Sequence, residues 1–337
     1  MSRCLFLTFI FLFLILSFSS FAQDSSITRK IWGNDRQAKT LFVEEQYDFR
    51  SSWLKIGKTD KERVEKLLEL VGKTPTGEKI VMKARIKALD FSATLEELVS
   101  IGEGSLTDTT LIRRYLPSQG DKVSYESRSQ VVINRSHNLQ DAILDLAHEL
   151  THFSFRSAFN PYVVNFNLKD FIKSTVEGQG GEVDAYLVEC KVLKEAFSES
   201  TWRGSQCSRM VNDQGKLSRH MIVEKFYQVG NHYKVLKKEL ESHKLGLDDF
   251  PQITDAEATY ISSAYGVPYP LAALREYTGI MEKSCLNDYK RLVLMRESNS
   301  GRRPASEEET PKKQDPMLKA YKERCSEYTG VRAPASF

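Results

Sequence analysis

Apolar residues between positions 138 and 155 recur at the spacing of an amphipathic α-helix. At about 100° per residue they fall within one arc of the helix. The members of this arc are Ile143, Leu146, Ala147, Leu150 and Phe153. Asn138 is a suitable N-cap, and Asp141 places an acidic group in the first turn. The pattern predicts a helix whose opposite face carries Asp141, Asp145, His148, Glu149 and His152.

The segments that precede this helix predict a small β-sheet. Residues 130–134 form a β-branched run that is typical of a strand, and the alternation over Lys79–Lys87 also predicts a strand. Residues 95–101 and 110–116 are short and ambiguous between the two types. We expect these segments to form a small sheet that packs against the helix at 138–155.

The rest of the chain has a mostly helical pattern. Residues 61–71 have helical spacing, and nearly all apolar patterns beyond residue 160 are helical. From Glu297 to Asp315 the chain is rich in Ser, Gly, Pro and mixed charge, which predicts a flexible linker before a short helix at Met317–Tyr328. The expected class is α+β, with an N-terminal lobe at 23–160, a mainly helical lobe at 161–296, a linker at 297–315 and a C-terminal helix and tail at 316–337.

Residues 1–22 have the pattern of a signal peptide. Arg3 precedes an apolar run from Leu5 to Leu16, which is too short to span a bilayer comfortably. Ser20 and Ala22 supply small residues for a cleavage site after Ala22. We expect a periplasmic or secreted protein without stable membrane insertion after cleavage. An uncleaved membrane anchor is the alternative.

Four of the five cysteines lie beyond the predicted signal peptide. An even number in an oxidising compartment favours two disulfides. Pairing Cys190 with Cys207 and Cys285 with Cys325 closes the shortest loops, and four free thiols are the alternative. No CxxC pair is present, so a metal site built from cysteines is not expected.

The charge of the chain is almost balanced. The formal net charge is +3, from 48 basic and 45 acidic residues. This balance gives no indication of a nucleic-acid or membrane-surface partner.

Residues 148–152 read His-Glu-Leu-Thr-His. On a helix, residues at i and i+4 share a face, so both imidazoles can reach one metal ion. Glu149 lies about 100° round the helix, beside the open coordination position of that metal. The ligand types suit zinc best, although the order of metal affinities admits other divalent ions. A structural helix with two incidental histidines is the alternative.

A catalytic zinc site usually has a third protein ligand. The HExxHxxGxxH pattern is excluded, because Phe155 and Ala158 occupy its Gly and His positions. Downstream, a glycine-rich loop leads into a helical pattern with Glu182 in its first turn and small Ala185 one turn later. Glu182 is therefore the predicted third ligand, and its rivals are Glu177, Asp184 and Glu189.

Over about residues 128–197 the chain resembles a gluzincin-type zinc metallopeptidase, in which HExxH on one helix is completed by a Glu in an E-x-x-A context on the next. The resemblance implies a zincin-like fold, a Zn²⁺ site formed by His148, His152 and Glu182, and Glu149 as general base. One departure is Tyr186, where many members carry an acid that orients a zinc-bound histidine. Tyr186, Asp145 or Glu189 can supply that contact.

The resemblance implies hydrolysis of peptide bonds in a peptide or protein substrate through a zinc-bound water that Glu149 activates. The strand at 130–134 is a candidate to pair with an extended peptide. Candidate donors to the developing oxyanion are His220, Tyr227, His232 and Tyr233. The alternatives are a non-catalytic zincin-like scaffold of the cell envelope, and a metal hydrolase that acts on a cell-wall amide.

Overall fold

The computed structural model describes residues 47–115, 123–163, 165–300, 316–326 and 328. The predicted signal peptide at 1–22 and most of the predicted linker, residues 301–315, lie outside the described residues. The strands are β1 (Val99–Gly102), β2 (Leu106–Tyr115) and β3 (Val123–Asn134). The helices are α1 (Asp60–Gly72), α2 (Pro75–Ala88), α3 (Leu95–Leu98), α4 (Leu139–Phe155), α5 (Leu168–Glu177), α6 (Glu182–Ala196), α7 (Glu199–Gly204), α8 (Arg219–Phe226), α9 (Tyr233–Ser242), α10 (Tyr269–Ser300) and α11 (Pro316–Cys325).

The described chain is of mixed α+β type, with a small three-stranded sheet in the order β1-β3-β2. Strand β3 is central, because it pairs in parallel with β1 and antiparallel with β2. The predicted strand at 130–134 is the last part of β3. The expectation that this strand could pair with an extended peptide is wrong, because both of its edges are already occupied. In the described sheet β2 pairs on one side only.

The prediction of a strand at Lys79–Lys87 is wrong, because these residues belong to helix α2. Thr74 caps the helix by accepting a hydrogen bond from the backbone N–H of Gly77, and Pro75 occupies its first turn. The apolar residues of this segment also satisfy helical spacing. Those buried on one face are Ile80, Val81, Ala84 and Ala88. The start signal at residues 74–75 therefore outweighs the local alternation.

Helix α4 lies at the centre of the structure and confirms the helix predicted at 138–155. Asn138 caps it by accepting from the N–H of Asp141. The predicted apolar arc is buried, and α4 packs against α1, α2, α6 and β3. One hydrophobic core runs across residues on both sides of position 160. The polar face of α4 is consequently held where the sheet meets the helical part of the chain.

Two disulfides join Cys190 to Cys207 and Cys285 to Cys325, as predicted. The first fixes α6 to the segment that follows α7, and the second fixes α11 to α10. Helix α10 continues to Ser300, so the first four residues of the predicted linker are helical. Among the described residues, no helix combines the length and the apolar character needed to cross a membrane.

Candidate metal centre

His148 and His152 lie one turn apart on α4, and their side chains meet edge to face. Their ring centroids are 4.8 Å apart, with an angle of 79° between the planes. The Nε2 atom of His148 is 3.5 Å from Oε2 of Glu182, and the Nε2 atom of His152 is 3.5 Å from Oε1 of the same carboxylate. The three side chains predicted as metal ligands are therefore brought together.

Helix α6 brings Glu182 to the two histidines because it begins at this residue. The preceding residues 180–181 are glycines, and Gly180 has a φ of +69°. A Cβ on Gly180 would lie 2.7 Å from the backbone nitrogen of Arg156, at the end of α4. Only glycine fits both the left-handed backbone and this close approach. Ala185, fully buried one turn into α6, is small enough to let α4 pack closely.

The donor set fits a divalent metal ion such as zinc. The ligand atoms of His148, His152 and Glu182 all lie within 4.8 Å of one another. In a tetrahedral zinc site with bonds of 2.0–2.2 Å, neighbouring ligand atoms are about 3.3–3.6 Å apart. The two Nε2–carboxylate distances of 3.5 Å, each to a different oxygen of Glu182, are of this size. Two imidazoles and one carboxylate also leave a coordination position free, as in catalytic sites.

The other nitrogen of each imidazole is held by an acceptor. Nδ1 of His152 donates to the backbone carbonyl of Gly180 at 2.8 Å, and Nδ1 of His148 lies 3.2 Å from Oε2 of Glu189. A metal ion bound at Nε2 would leave the remaining proton on Nδ1, where these two partners accept it. Of the three candidates to orient His148, the structure therefore selects Glu189. Asp145 bonds to His137 instead, and the Tyr186 ring packs against Tyr260.

We expect a Glu189→Ala variant to bind zinc about 10- to 100-fold more weakly than the wild type. The variant loses the carboxylate that fixes the ring and the tautomer of His148, while the ligands stay. Competition with a chromophoric chelator measures the affinity. Glu224→Ala, which removes an exposed carboxylate on α8, serves as the control and should keep wild-type affinity. Unchanged zinc affinity in Glu189→Ala would show that the contact is not needed.

Glu149 lies beside the ligands and is only 7 % exposed. The Thr107 hydroxyl on β2 lies within hydrogen-bond distance of Glu149 at two points, 2.7 Å from Oε2 and 2.9 Å from the backbone carbonyl. Burial raises the pKa of Glu149 above its usual value, although the neighbouring His152 and His148 act to lower it. The edge strand thus fixes the orientation of the carboxylate predicted as a general base.

Glu182 is ionised at neutral pH. Burial raises the pKa of Glu182, but the charge of His152 and the hydrogen bonds from both imidazoles outweigh burial and hold it well below the usual value. Burial lowers the pKa of His148, and its hydrogen bonds with Glu182 and Glu189 reverse this effect and raise the pKa well above normal. Protons and a metal ion therefore compete for Nε2 of His148.

Of the three rival ligands, Glu189 contacts His148 at Nδ1, and the other two have different partners. Glu177 accepts a hydrogen bond from the Tyr227 hydroxyl, and Asp184 accepts from Arg219 and from the N–H of Gly180. The predicted oxyanion donors are also outside the group. The His220 side chain is 82 % exposed and pairs with Glu224. Tyr227 donates to Glu177, and His232 and Tyr233 lie at the start of α9, a helix that packs against α10.

The sequence analysis did not predict three residues that lie at the site. They are Thr107, Arg156 and Tyr269. Arg156 donates to Oε1 of Glu182 at 3.2 Å and to the carbonyl of Thr175 at 3.3 Å. Tyr269 begins α10, and burial, the charges of Glu182 and Glu149 and hydrogen bonding to Glu182 raise its pKa. No spacing rule connects residues 107 and 269 with 148, because only the tertiary fold brings these elements together.

No family model, curated protein or solved structure matches the chain.

Proposed function

We propose that the protein is an exported zinc metallopeptidase of gluzincin type with a zincin-like fold. The observation that carries this proposal is the convergence of two Nε2 atoms and the Glu182 carboxylate beside a separately held glutamate, Glu149. A purely structural zinc site has no use for the second carboxylate. A general base next to the free coordination position is the arrangement that peptide hydrolysis requires.

His148, His152 and Glu182 would hold the zinc ion, which would act as a Lewis acid towards the scissile carbonyl and lower the pKa of a water molecule towards about 7. Glu149 removes the proton from the attacking water and later delivers it to the leaving amine. Its raised pKa brings the carboxyl closer to the pH at which it both accepts and returns a proton. Thr107 holds Oε2 in place by donating its hydroxyl proton.

Tyr269 is the donor to the oxyanion that develops on the scissile carbonyl. A hydrogen bond between the Tyr269 side chain and Glu182, one of the three candidate ligands, supports this assignment. The hydroxyl is protonated at neutral pH, and burial raises its pKa further, so it can donate a hydrogen bond. A donor that is already oriented before reaction stabilises the transition state more than the ground state.

Replacing Tyr269 with Phe is expected to lower kcat by about 100-fold with little change in KM. The variant loses one hydrogen bond that forms fully only in the transition state. Steady-state kinetics on a fluorogenic peptide measure both constants, and Tyr265→Phe, which removes an exposed hydroxyl, is the control. A wild-type kcat in Tyr269→Phe would remove this residue from the mechanism.

The edge of β2 binds the substrate as an added strand. In the described sheet β2 pairs only with β3, and its open edge at Thr107–Leu111 lines a cavity of about 410 Å³ that also includes Arg156. An extended peptide can satisfy the unpaired backbone groups of such an edge. Because Thr107 contacts Glu149, a peptide bound along this edge passes the general base.

The two disulfides support the export part of the proposal. Disulfides persist in oxidising compartments such as the periplasm or the extracellular space. A periplasmic or secreted location follows, with residues 1–22 as the cleaved signal peptide.

Hydrolysis of a peptide library by the purified protein tests the proposal. We expect activity that a zinc chelator abolishes and that one equivalent of zinc restores. Zinc binding without cleavage of any peptide would contradict a peptidase and favour a binding scaffold. Cleavage confined to cell-wall crosslinks would contradict the substrate class and favour an amide hydrolase of the cell wall.

A further inference from the structure

The 410 Å³ cavity beside the metal centre lies between β2 and α10. Its walls are residues 107–111 of β2, the segment 156–162 and one face of α10. Thr107 belongs to this wall and also contacts Glu149, so one residue of the wall touches the proposed general base. A larger cavity of about 910 Å³ shares Asp108 and Thr110 of β2 with it but includes none of the metal-centre residues.

One stripe of α10 faces this cavity and carries two charges of opposite sign. Its members are Glu276, Ile280, Lys283 and Asn287. Glu276 lies at the end nearest the metal centre, where the charges of Arg156, Glu182 and His152 act on its pKa. Lys283 is seven residues further along the helix, about 10 Å away at 1.5 Å per residue.

Of the charged groups that line the cavity, Glu276 is the one that is partly shielded from solvent and also has no hydrogen-bond or ion-pair partner among the described residues. Arg156 donates to Glu182 and Thr175, and the exposed Asp108 accepts from Thr110. Lys283 is exposed, so solvent screens its charge. Glu276 is partly buried, and among the described residues its carboxylate makes no hydrogen bond or ion pair.

The environment of Glu276 favours binding of a positively charged group. Burial raises the pKa of its carboxyl, and the charge of Arg156 lowers the pKa only in part. A cationic group in the cavity would form a charge-assisted hydrogen bond with this carboxylate and replace the water that burial removes. An acidic group in the same place would be repelled by Glu276.

We propose that Glu276 forms a substrate subsite for a cationic group, either a lysine or arginine side chain or a free N-terminal amine, close to the bond that is cleaved. This subsite rests on the proposed peptidase function. It defines the specificity of the enzyme, because the open edge of β2 contacts the peptide backbone and does not discriminate between side chains.

A matched set of fluorogenic peptides tests the subsite. Peptides that are identical except for lysine, arginine, norleucine or glutamate at one position are prepared for each position within three residues of the cleaved bond. Each is made with a free and with an acetylated N-terminus. We measure kcat/KM for the wild type, Glu276→Gln and Glu276→Lys. Glu282→Gln, an exposed acid on the same helix, is the control.

The wild type is expected to cleave the cationic peptide 10- to 100-fold better than its norleucine counterpart at one position. Glu276→Gln should abolish this preference, Glu276→Lys should favour glutamate there, and Glu282→Gln should behave as the wild type. A preference that depends only on the free N-terminus identifies the amine as the group bound. Absence of any cationic preference in the wild type, or its persistence in Glu276→Gln, would overturn the proposal.

Binding separates failure of the subsite from failure of the peptidase function. The same peptides are titrated by fluorescence anisotropy into zinc-loaded Glu149→Gln, with and without Glu276→Gln. If the wild type cleaves none of the peptides, the peptidase function fails, and a cationic binding preference that requires Glu276 still supports the subsite. Equal binding of all peptides to both variants would overturn the subsite whether or not cleavage occurs.

Discussion

A Glu149→Gln variant is expected to lose about 10³-fold in kcat while it keeps its zinc. Gln preserves the shape of the side chain and can still contact Thr107, but it cannot accept a proton from the attacking water. The candidate ligands His148, His152 and Glu182 are not changed in this variant. Single-turnover hydrolysis of a fluorogenic peptide measures the loss, and elemental analysis of the same sample measures the zinc.

Glu224→Gln, which neutralises an exposed carboxylate, is the matched control and should retain full activity and zinc. Thermal unfolding monitored by circular dichroism checks that the Glu149 variant is folded. Full hydrolytic activity in folded, zinc-loaded Glu149→Gln would exclude Glu149 as the general base.

The second large effect concerns the ligand from α6. We expect Glu182→Ala to weaken zinc binding by roughly 10³-fold, more than the loss of its outer partner Glu189, because one of three direct bonds disappears. The variant also leaves Arg156 without one of its acceptors, so some loss of thermal stability should accompany it. Competition with a chelator of known affinity measures the change.

The control for this experiment is Glu199→Ala. Glu199 lies in the first turn of α7, as Glu182 does in α6, but its side chain is 67 % exposed and pairs with Arg203. The Glu199→Ala variant should bind zinc as the wild type does. Zinc affinity in Glu182→Ala equal to that of the control would remove Glu182 from the ligand set and reopen the choice among the acidic residues near α6.

Local sequence signals predicted the helix that carries the site. Asn138 and the apolar arc of α4 define its start and its buried face without help from distant residues. The same kind of reasoning failed at Lys79–Lys87, where alternation and helical spacing coincide over one short segment. The capping Thr74 and Pro75 were the signal that distinguished the two, and they lie just outside the alternating run.

The three candidate metal ligands could be picked out from the sequence because each lies at a position that local rules describe. His148 and His152 share a helix face, and Glu182 follows a pair of glycines at a helix start. The residues around them could not be predicted from the sequence. Thr107 comes from the edge of the sheet and Tyr269 from a helix more than a hundred residues beyond α4, and only tertiary packing places them at the site.

The partner of His148 likewise could not be identified from the sequence alone. Asp145, Tyr186 and Glu189 all lie within two turns of a ligand in sequence, so spacing does not distinguish them. The rotation of α6 against α4 directs Glu189 towards Nδ1 of His148, while Asp145 turns to His137. This rotation depends on how the buried faces of the two helices pack, which no local pattern specifies.

The metal content of the purified wild-type protein tests the central claim most directly. The protein is incubated with excess zinc, freed of unbound metal and measured by elemental analysis beside Glu182→Ala. The account predicts about one zinc per chain in the wild type and its loss in the variant. A wild-type protein that retains no zinc after this treatment would contradict it.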